Sequence, residues 1–198
     1  HSSHRRQRQM CIRDRLSAAC AQMLCHFDLP SGAAAGMCDS KLPDSQSGYE
    51  KGSTAVMAGL AGLNLVYESA GMHASLLGFS LESMIIDNDM LGQCLRCVRG
   101  IEVNDDTLSF EAIKDVCLNG PGHYLGHDRT LAVMESEYVY PIISDRSSPK
   151  EWNENNKPEI INSAHDEVKD ILENHKPTHI SSETDKLIRE KFKIYFTK

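Results

Sequence analysis

No run of eighteen apolar residues occurs in the 198-residue sequence, so nothing in it reads as a membrane-spanning helix. A basic excess is missing too: the formal net charge of −7 argues against a nucleic-acid-binding surface and suits a soluble cytoplasmic enzyme. The N-terminus is basic but lacks the apolar segment of a secretory signal. Seven cysteines, an odd number at irregular spacings, do not make a disulfide framework and read as reduced, mostly buried thiols. Cys94-Leu95-Arg96-Cys97 is a C-x-x-C with no second pair to complete a zinc site, and it lies inside a helical pattern where packing explains it. With 40% hydrophobic residues, the length allows one domain with a real core.

The first fifteen residues, HSSHRRQRQMCIRDR, hold five of the ten arginines and none of the eleven lysines, in an otherwise acidic chain. They read as non-native residues or a disordered basic tail and are set apart from fold and function. Residues 16–152 then form one unit and residues 153–198 a polar helical tail.

Within the unit, 17–27 reads as the end of a helix, with Ala18, Met23 or Leu24, and Phe27 offered to a core. Residues 29–37 read as a small-residue strand and 63–67 as a second strand. Between them a helix starts at Asp44 or Ser45 and runs to about Gly62, its Ala55, Ala58, Gly59 and Ala61 suited to close packing on a sheet. A loop, 68–80, leads to a helix over 81–99 in which Met84, Leu91, Cys94, Leu95 and Val98 gather in one stripe, with Asp87 and Asn88 projecting into it. Polar groups there require partners. A short extended piece, 101–103, precedes a helix over 108–117 with Phe110, Ile113 and Val116 on one face. The tail carries two amphipathic helices, about 159–174 and 183–196, placed at the periphery or on a partner surface. Strand, helix, strand, helix and a further strand is a parallel α/β pattern, open sheet or barrel.

In GPGHYLGHDRTLAVMESEYVYP, Gly120 to Pro141, three glycines and a proline hold His123 and His127 on a loop. Asp128 is the expected N-cap of the helix that follows, with Leu131, Met134 and Tyr138 on one face. Such a loop meets the unpaired N–H groups of a helix start and can take an anion or polar ligand.

Taken with DSKLPDSQSGYEK, Asp39 to Lys51, and IIDNDMLGQCLRCVRGIEVNDDTL, Ile85 to Leu108, this order of segments resembles the C-terminal part of the trimethylamine methyltransferase family, over about residues 17–152. Those enzymes carry a methyl group from a methylated amine to a corrinoid protein. The resemblance implies a TIM (β/α)8 barrel, of which three candidate strands are too few; the chain is expected to be the last part of a barrel with additional C-terminal helices, poorly stable alone and with an exposed sheet edge. It also implies a partner protein bearing the corrinoid (cobalamin), a small methylated amine as substrate, a homo-oligomer when full length, and no tightly bound metal of its own.

Reactive residues of a parallel barrel lie at the C-terminal ends of its strands. That selects Asp39 with Ser40 and Lys41, Glu68 with Ser69, and Glu102 with Asn104; the glycine-rich loop adds His123, Tyr124 and His127. A methylated ammonium is recognised by aromatic faces and carboxylates, the types supplied by Tyr67, Tyr124, Glu68 and Glu102. The carboxylate of a betaine would meet the loop at His123 to Asp128. The family holds archaeal enzymes with pyrrolysine and relatives without it that act on amines such as glycine betaine; this chain shows no non-standard residue, which favours quaternary amines. Two other readings stay open. One is a metal-dependent hydrolase using His123, His127 and Glu135 or Glu137, against which Gly122 and Gly126 argue because helical H-x-x-x-H geometry needs a helix. The other is a non-catalytic binding fragment using the acidic tail.

Overall fold

The computed structural model describes residues 3–175 and 178–193, with side chains from residue 14 onward. The first element is a helix, α1 (Ser3–His26), so the arginine-rich stretch read from sequence as foreign or disordered is helical from Ser3. Of its described side chains only Ala21 is buried, while Met23 and, just past the helix, Phe27 stay exposed against expectation.

Two short strands follow the expected order. β1 (Gly32–Ala34) and β2 (Leu65–Tyr67) pair in parallel, with Gly32 opposite Leu65 and Ala34 opposite Tyr67. Between them runs α2 (Ser45–Leu60), started by Asp44, whose carboxylate accepts the Ser47 N–H at 2.9 Å. α3 (Leu81–Arg99) occupies the predicted span; the Ser80 hydroxyl caps it by accepting the Ser83 N–H. The small residues of α2 serve a close approach to α3: a Cβ on Gly59 would lie 2.4 Å from a Val98 methyl, and the Cys94 thiol reaches the Gly52 carbonyl at 3.8 Å.

The stripe read on α3 is corrected in character. Its buried residues are Ser83, Asp87, Asp89 and Cys94, whereas Met84, Leu95 and Asn88 are exposed. Apolar periodicity marked the right helix and, in Cys94 and Asp87, part of the buried side, but it missed Ser83 and Asp89, polar groups that are buried with partners.

Two further predictions fail. The segment 68–80 is not plain loop but holds an antiparallel hairpin, β3 (Met72–His73) with β4 (Gly78–Phe79), too short for an alternating pattern to show. Residues 101–103 form no strand and are exposed, Ile101 at 86%. Two parallel strands, not three, are thus present among the described residues, an α/β arrangement rich in helix.

After α3 come α4 (Asp105–Leu108) and α5 (Phe110–Lys114), which passes into a π-helical turn, Asp115–Asn119. Of the apolar face foreseen here only Val116 is buried. α6 (Asp128–Glu137) is capped by His127 rather than Asp128: the His127 Nδ1 accepts the Arg129 N–H at 3.1 Å. A short α7 (Pro149–Glu154), with Ser148 and Glu151 forming a reciprocal cap, was not foreseen. In the tail, α8 (Ile160–Asn174) packs on α3 through buried Ala164 and Val168, and His165 meets Glu82 at 2.9 Å; α9 (Ser182–Lys191) ends before the predicted 196, of which 194–198 lie outside the described residues. No helix among the described residues is long and apolar enough to cross a membrane.

The core is thin. Its buried apolar residues are mostly alanine and cysteine, and among the described residues the bulkiest side chain sealed from solvent is that of Lys51. Many large apolar side chains remain outside, including Leu65 and Tyr67 on one face of the strand pair.

Candidate functional site

The C-terminal ends of β1 and β2 converge on one locus. Gly36, just past β1, adopts φ +76°, and a Cβ there would lie 2.6 Å from the Ser69 carbonyl oxygen just past β2, so only glycine lets the two strand-end loops touch. The Gly36 N–H donates to the Thr54 hydroxyl of α2 at 3.0 Å, tying this junction to the helix.

The β3–β4 hairpin folds back over the junction. The Ala74 N–H donates to the Ser40 carbonyl at 2.9 Å, the Ser75 N–H to the Cys38 carbonyl at 3.0 Å, and the Ser75 hydroxyl to the Asp39 carboxylate. Its tip places Ala74, Ser75 and Leu76 at φ +49°, +55° and +72°, and Glu68 after β2 sits at φ +62°. Left-handed backbone costs about 1–2 kcal/mol per non-glycine residue. Four such residues around one strand end fit the tendency of stored strain to gather at functional sites.

Beneath the tip lies a buried polar string. His73 Nε2 is 2.6 Å from the Ser83 hydroxyl, and its Nδ1 is 3.3 Å from both the Cys38 thiol and the Ser40 carbonyl. The distances resemble those of a nucleophile and its base, but the electrostatics do not. Burial pushes the Cys38 thiol up to about 11, and burial followed by the Lys51 charge pushes His73 below its ordinary value. Both shifts favour an uncharged thiol beside a neutral imidazole at neutral pH, a pair that ties the Cys38 to Ser40 loop to the hairpin. The expected outcome with a thiol reagent at pH 8 is modification of Cys20, Cys25, Cys97 and Cys117, all exposed, while Cys38 and Cys94 react only on unfolding; mass mapping of the labelled peptides checks it.

Next to this string Lys51 of α2 and Asp87 of α3 form an ion pair at 2.6 Å, and the same carboxylate oxygen accepts the Gly71 N–H at 2.7 Å. One carboxylate therefore joins α2, α3 and the root of the hairpin.

The candidates drawn from sequence divide between two places. Asp39 and Glu68 belong to the strand end: Asp39 is half-buried, its N–H donating to Glu50 at 2.8 Å, and Glu68 is exposed. Glu102, Tyr124 and His127 line a separate cleft of about 390 Å³ together with Arg129, Glu137 and Tyr138. There Arg129 pairs with Asp106 at 2.7 Å, His127 Nε2 lies 3.6 Å from Asp115, and Glu137 is held by Arg96 and Arg99. His123 is exposed on the glycine-rich loop and lines neither place. The metal-hydrolase reading, which took His123, His127 and Glu135 or Glu137 as ligands, is not favoured: Glu137 pairs with Arg96 and Arg99, His127 caps its helix, and no three His, Cys, Asp or Glu among the described residues are grouped to hold a metal ion.

A family model, trimethylamine methyltransferase, matches residues 12–194. The chain belongs to the trimethylamine methyltransferase family. It is 34% identical over 168 residues to the trimethylamine methyltransferase of Methanosarcina thermophila, covering 85% of this chain and 34% of that protein. Against the trimethylamine methyltransferase of Desulfitobacterium hafniense it is 34% identical over 162 residues, 82% of this chain and 32% of the relative. The glycine betaine methyltransferase of a D. hafniense strain is 33% identical over 169 residues, 85% of this chain and 34% of the relative. The chain thus spans about a third of the length of the curated relatives it matches.

In this member of the trimethylamine methyltransferase family, sequence reasoning missed Lys51, His73, Ser83 and Asp89. Lys51 was within reach: with Ala55 and Ala58 it repeats at i, i+4 and i+7, the buried face of α2, where a lone lysine demands an acidic partner. His73 and Ser83 meet only through the hairpin, which left no trace in the sequence pattern.

Proposed function

We propose that the chain works as part of a methyltransferase that moves a methyl group from a tertiary or quaternary methylated amine to cobalt(I) of a corrinoid carried by a cytoplasmic partner protein. Family membership over residues 12–194 carries this reading. The convergence of strained strand-end loops bearing Asp39 and Glu68 supports placing the amine there. Exposed Tyr67, with Leu65, lies on the same side of the strand pair as Gly32, whose Cβ would stand 3.6 Å from the Tyr67 ring, and the reading takes this side as the interior of a (β/α)8 barrel.

In the transfer the C–N bond breaks with its electron pair left on nitrogen, and the methyl carbon bonds to cobalt, which passes from Co(I) to methyl-Co(III). A quaternary amine leaves as a neutral tertiary amine and needs no proton. Trimethylamine leaves as dimethylamine only if its nitrogen is protonated first, and a carboxylate beside it favours that form. Asp39 and Glu68 supply negative charge for the ammonium, Tyr67 an aromatic face, and the hairpin over Asp39 fixes geometry and limits water.

The test is a full-length enzyme containing this segment, assayed for methylation of cob(I)alamin or its carrier protein with trimethylamine, glycine betaine and tetramethylammonium. Glu68→Gln is expected to raise KM for the preferred amine up to about fivefold, the loss of one screened ion pair worth up to about 1 kcal/mol. No methylation from any of these amines by a folded enzyme contradicts the reading. An unchanged KM in the variant removes Glu68 from the site.

A further inference from the structure

Asp39 is held at every polar group but one. Its N–H donates to Glu50 Oε2 at 2.8 Å, and Gln46 Nε2 donates to the other Glu50 oxygen at 2.9 Å, so the backbone here is fixed to α2. Its carbonyl accepts from Lys41 Nζ at 2.7 Å, and its carboxylate Oδ1 accepts the Ser75 hydroxyl. No hydrogen bond from the described residues falls on Oδ2. Asp39 is half-buried, and no half-buried or buried side chain among the described residues has a sealed oxygen without a partner, so Oδ2 is open to solvent. A carboxylate with one oxygen tied and the other open offers one acceptor of fixed direction.

Ser75 is itself held without help from that carboxylate. Its N–H donates to the Cys38 carbonyl and the Ala74 N–H to the Ser40 carbonyl, one on each side of Asp39. Two residues earlier in the hairpin, buried His73 is anchored to Ser83 at the start of α3 and to the Ser40 carbonyl. The tip then carries a serine where its backbone asks for glycine: φ is +55° at Ser75, between +49° at Ala74 and +72° at Leu76. What glycine would lack at this position is the hydroxyl that Asp39 uses.

We infer that Ser75 is a positioning residue that sets the direction of the Asp39 carboxylate and, through it, the enzyme's preference between amines with and without an N–H. The inference rests on the proposed placing of the amine at the strand end. A protonated amine presents an N–H whose hydrogen bond to a carboxylate is directional, so it gains from an oxygen held in one place. A quaternary amine has no N–H and responds to nearby charge whatever the orientation of the carboxylate, a part that exposed Glu68 can fill.

The test compares the full-length enzyme containing this segment with its Ser75→Gly and Ser75→Asn variants. Glycine takes the left-handed backbone without strain and removes the hydroxyl, so the fold is kept while the donor is lost. Asparagine also tolerates that backbone and restores a donor. In Ser75→Gly, kcat/KM for corrinoid methylation is expected to fall about tenfold with trimethylamine and no more than about twofold with tetramethylammonium, and Ser75→Asn should recover most of the loss. For an amine that the parent does not turn over, its inhibition constant against one that it does is read instead. In crystals of the same proteins the Asp39 carboxylate should take one orientation in the parent and in Ser75→Asn, and more than one in Ser75→Gly. Equal losses with the two amines, no recovery in Ser75→Asn, or a single unchanged Asp39 orientation in Ser75→Gly would each overturn the inference. A folded parent that methylates no corrinoid would remove the proposed reaction, and the Asp39 orientations would still decide whether Ser75 positions it. Methylation by Ser75→Gly indistinguishable from the parent's would remove Ser75 and leave the reaction.

Discussion

Lys51→Met is expected to remove about 3–5 kcal/mol of folding stability, because it leaves the Asp87 carboxylate buried with no counter-charge. Single domains are stable by only about 5–15 kcal/mol, and a core of alanines and cysteines places this chain toward the low end. The single variant should therefore be largely unfolded or collapsed at 25 °C, with its urea midpoint displaced to near zero by circular dichroism. Lys51→Met combined with Asp87→Leu should recover much of the loss, since an apolar pair of similar volume avoids the desolvation of two ions. What it does not recover is the acceptor for the Gly71 N–H, so the root of the hairpin should exchange its amide protons faster than in the parent. A Lys51→Met protein as stable as the parent would mean that the pair is not sealed.

The second large effect is expected at Asp89. Its carboxylate accepts the N–H groups of Ile142, Ile143 and Ser144 at 2.8, 3.0 and 3.0 Å and the Ser144 hydroxyl at 3.0 Å, joining α3 to a segment more than fifty residues later. Asp89→Ala leaves those donors facing a cavity, at an expected cost of about 2–4 kcal/mol. Burial works to raise this carboxyl group's pKa, but the backbone donors outweigh it, and its pKa lies below the ordinary value. The sign of the pH dependence follows. The stabilisation is fully present above the unfolded value near pH 4 and is lost as pH falls through the lower folded value. Asp89→Asn should flatten that part of an acid unfolding profile, and a variant that loses stability as steeply as the parent below about pH 4 would show that other carboxylates govern it.

Residues that act along one helix were the legible ones. Asp44 stands at a helix start that its own side chain caps, and the spans of α2 and α3 follow from local pattern. The order β1, α2, β2, α3 was legible for the same reason, since each step is a change of period. The buried sides were not. Asp87 and Asn88 are neighbours of the same polarity in one stripe, yet one is sealed against Lys51 and the other is exposed, a choice made by what α2 places opposite. The hairpin was invisible because two-residue strands have no periodicity and its turn is held by contacts to Ser40 and Cys38 rather than by glycine or asparagine at the tip. At 101–103, Ile-Glu-Val has the alternation of a strand but pairs with no strand among the described residues. For the candidate site, Asp39 and Glu68, chosen by the rule of strand ends, lie beside the β1 and β2 ends, whereas Glu102, Tyr124 and His127 line a separate cleft.

The measurement that tests the account most directly is the fate of a labelled methyl group. Trimethylamine and glycine betaine carrying trideuteromethyl groups would be given, one at a time, to the full-length enzyme with its corrinoid reduced to Co(I). The account predicts that an intact CD3 group appears on cobalt, one for each amine that loses one. A demethylated amine formed with no CD3 on cobalt, or no demethylation of either amine, would contradict it.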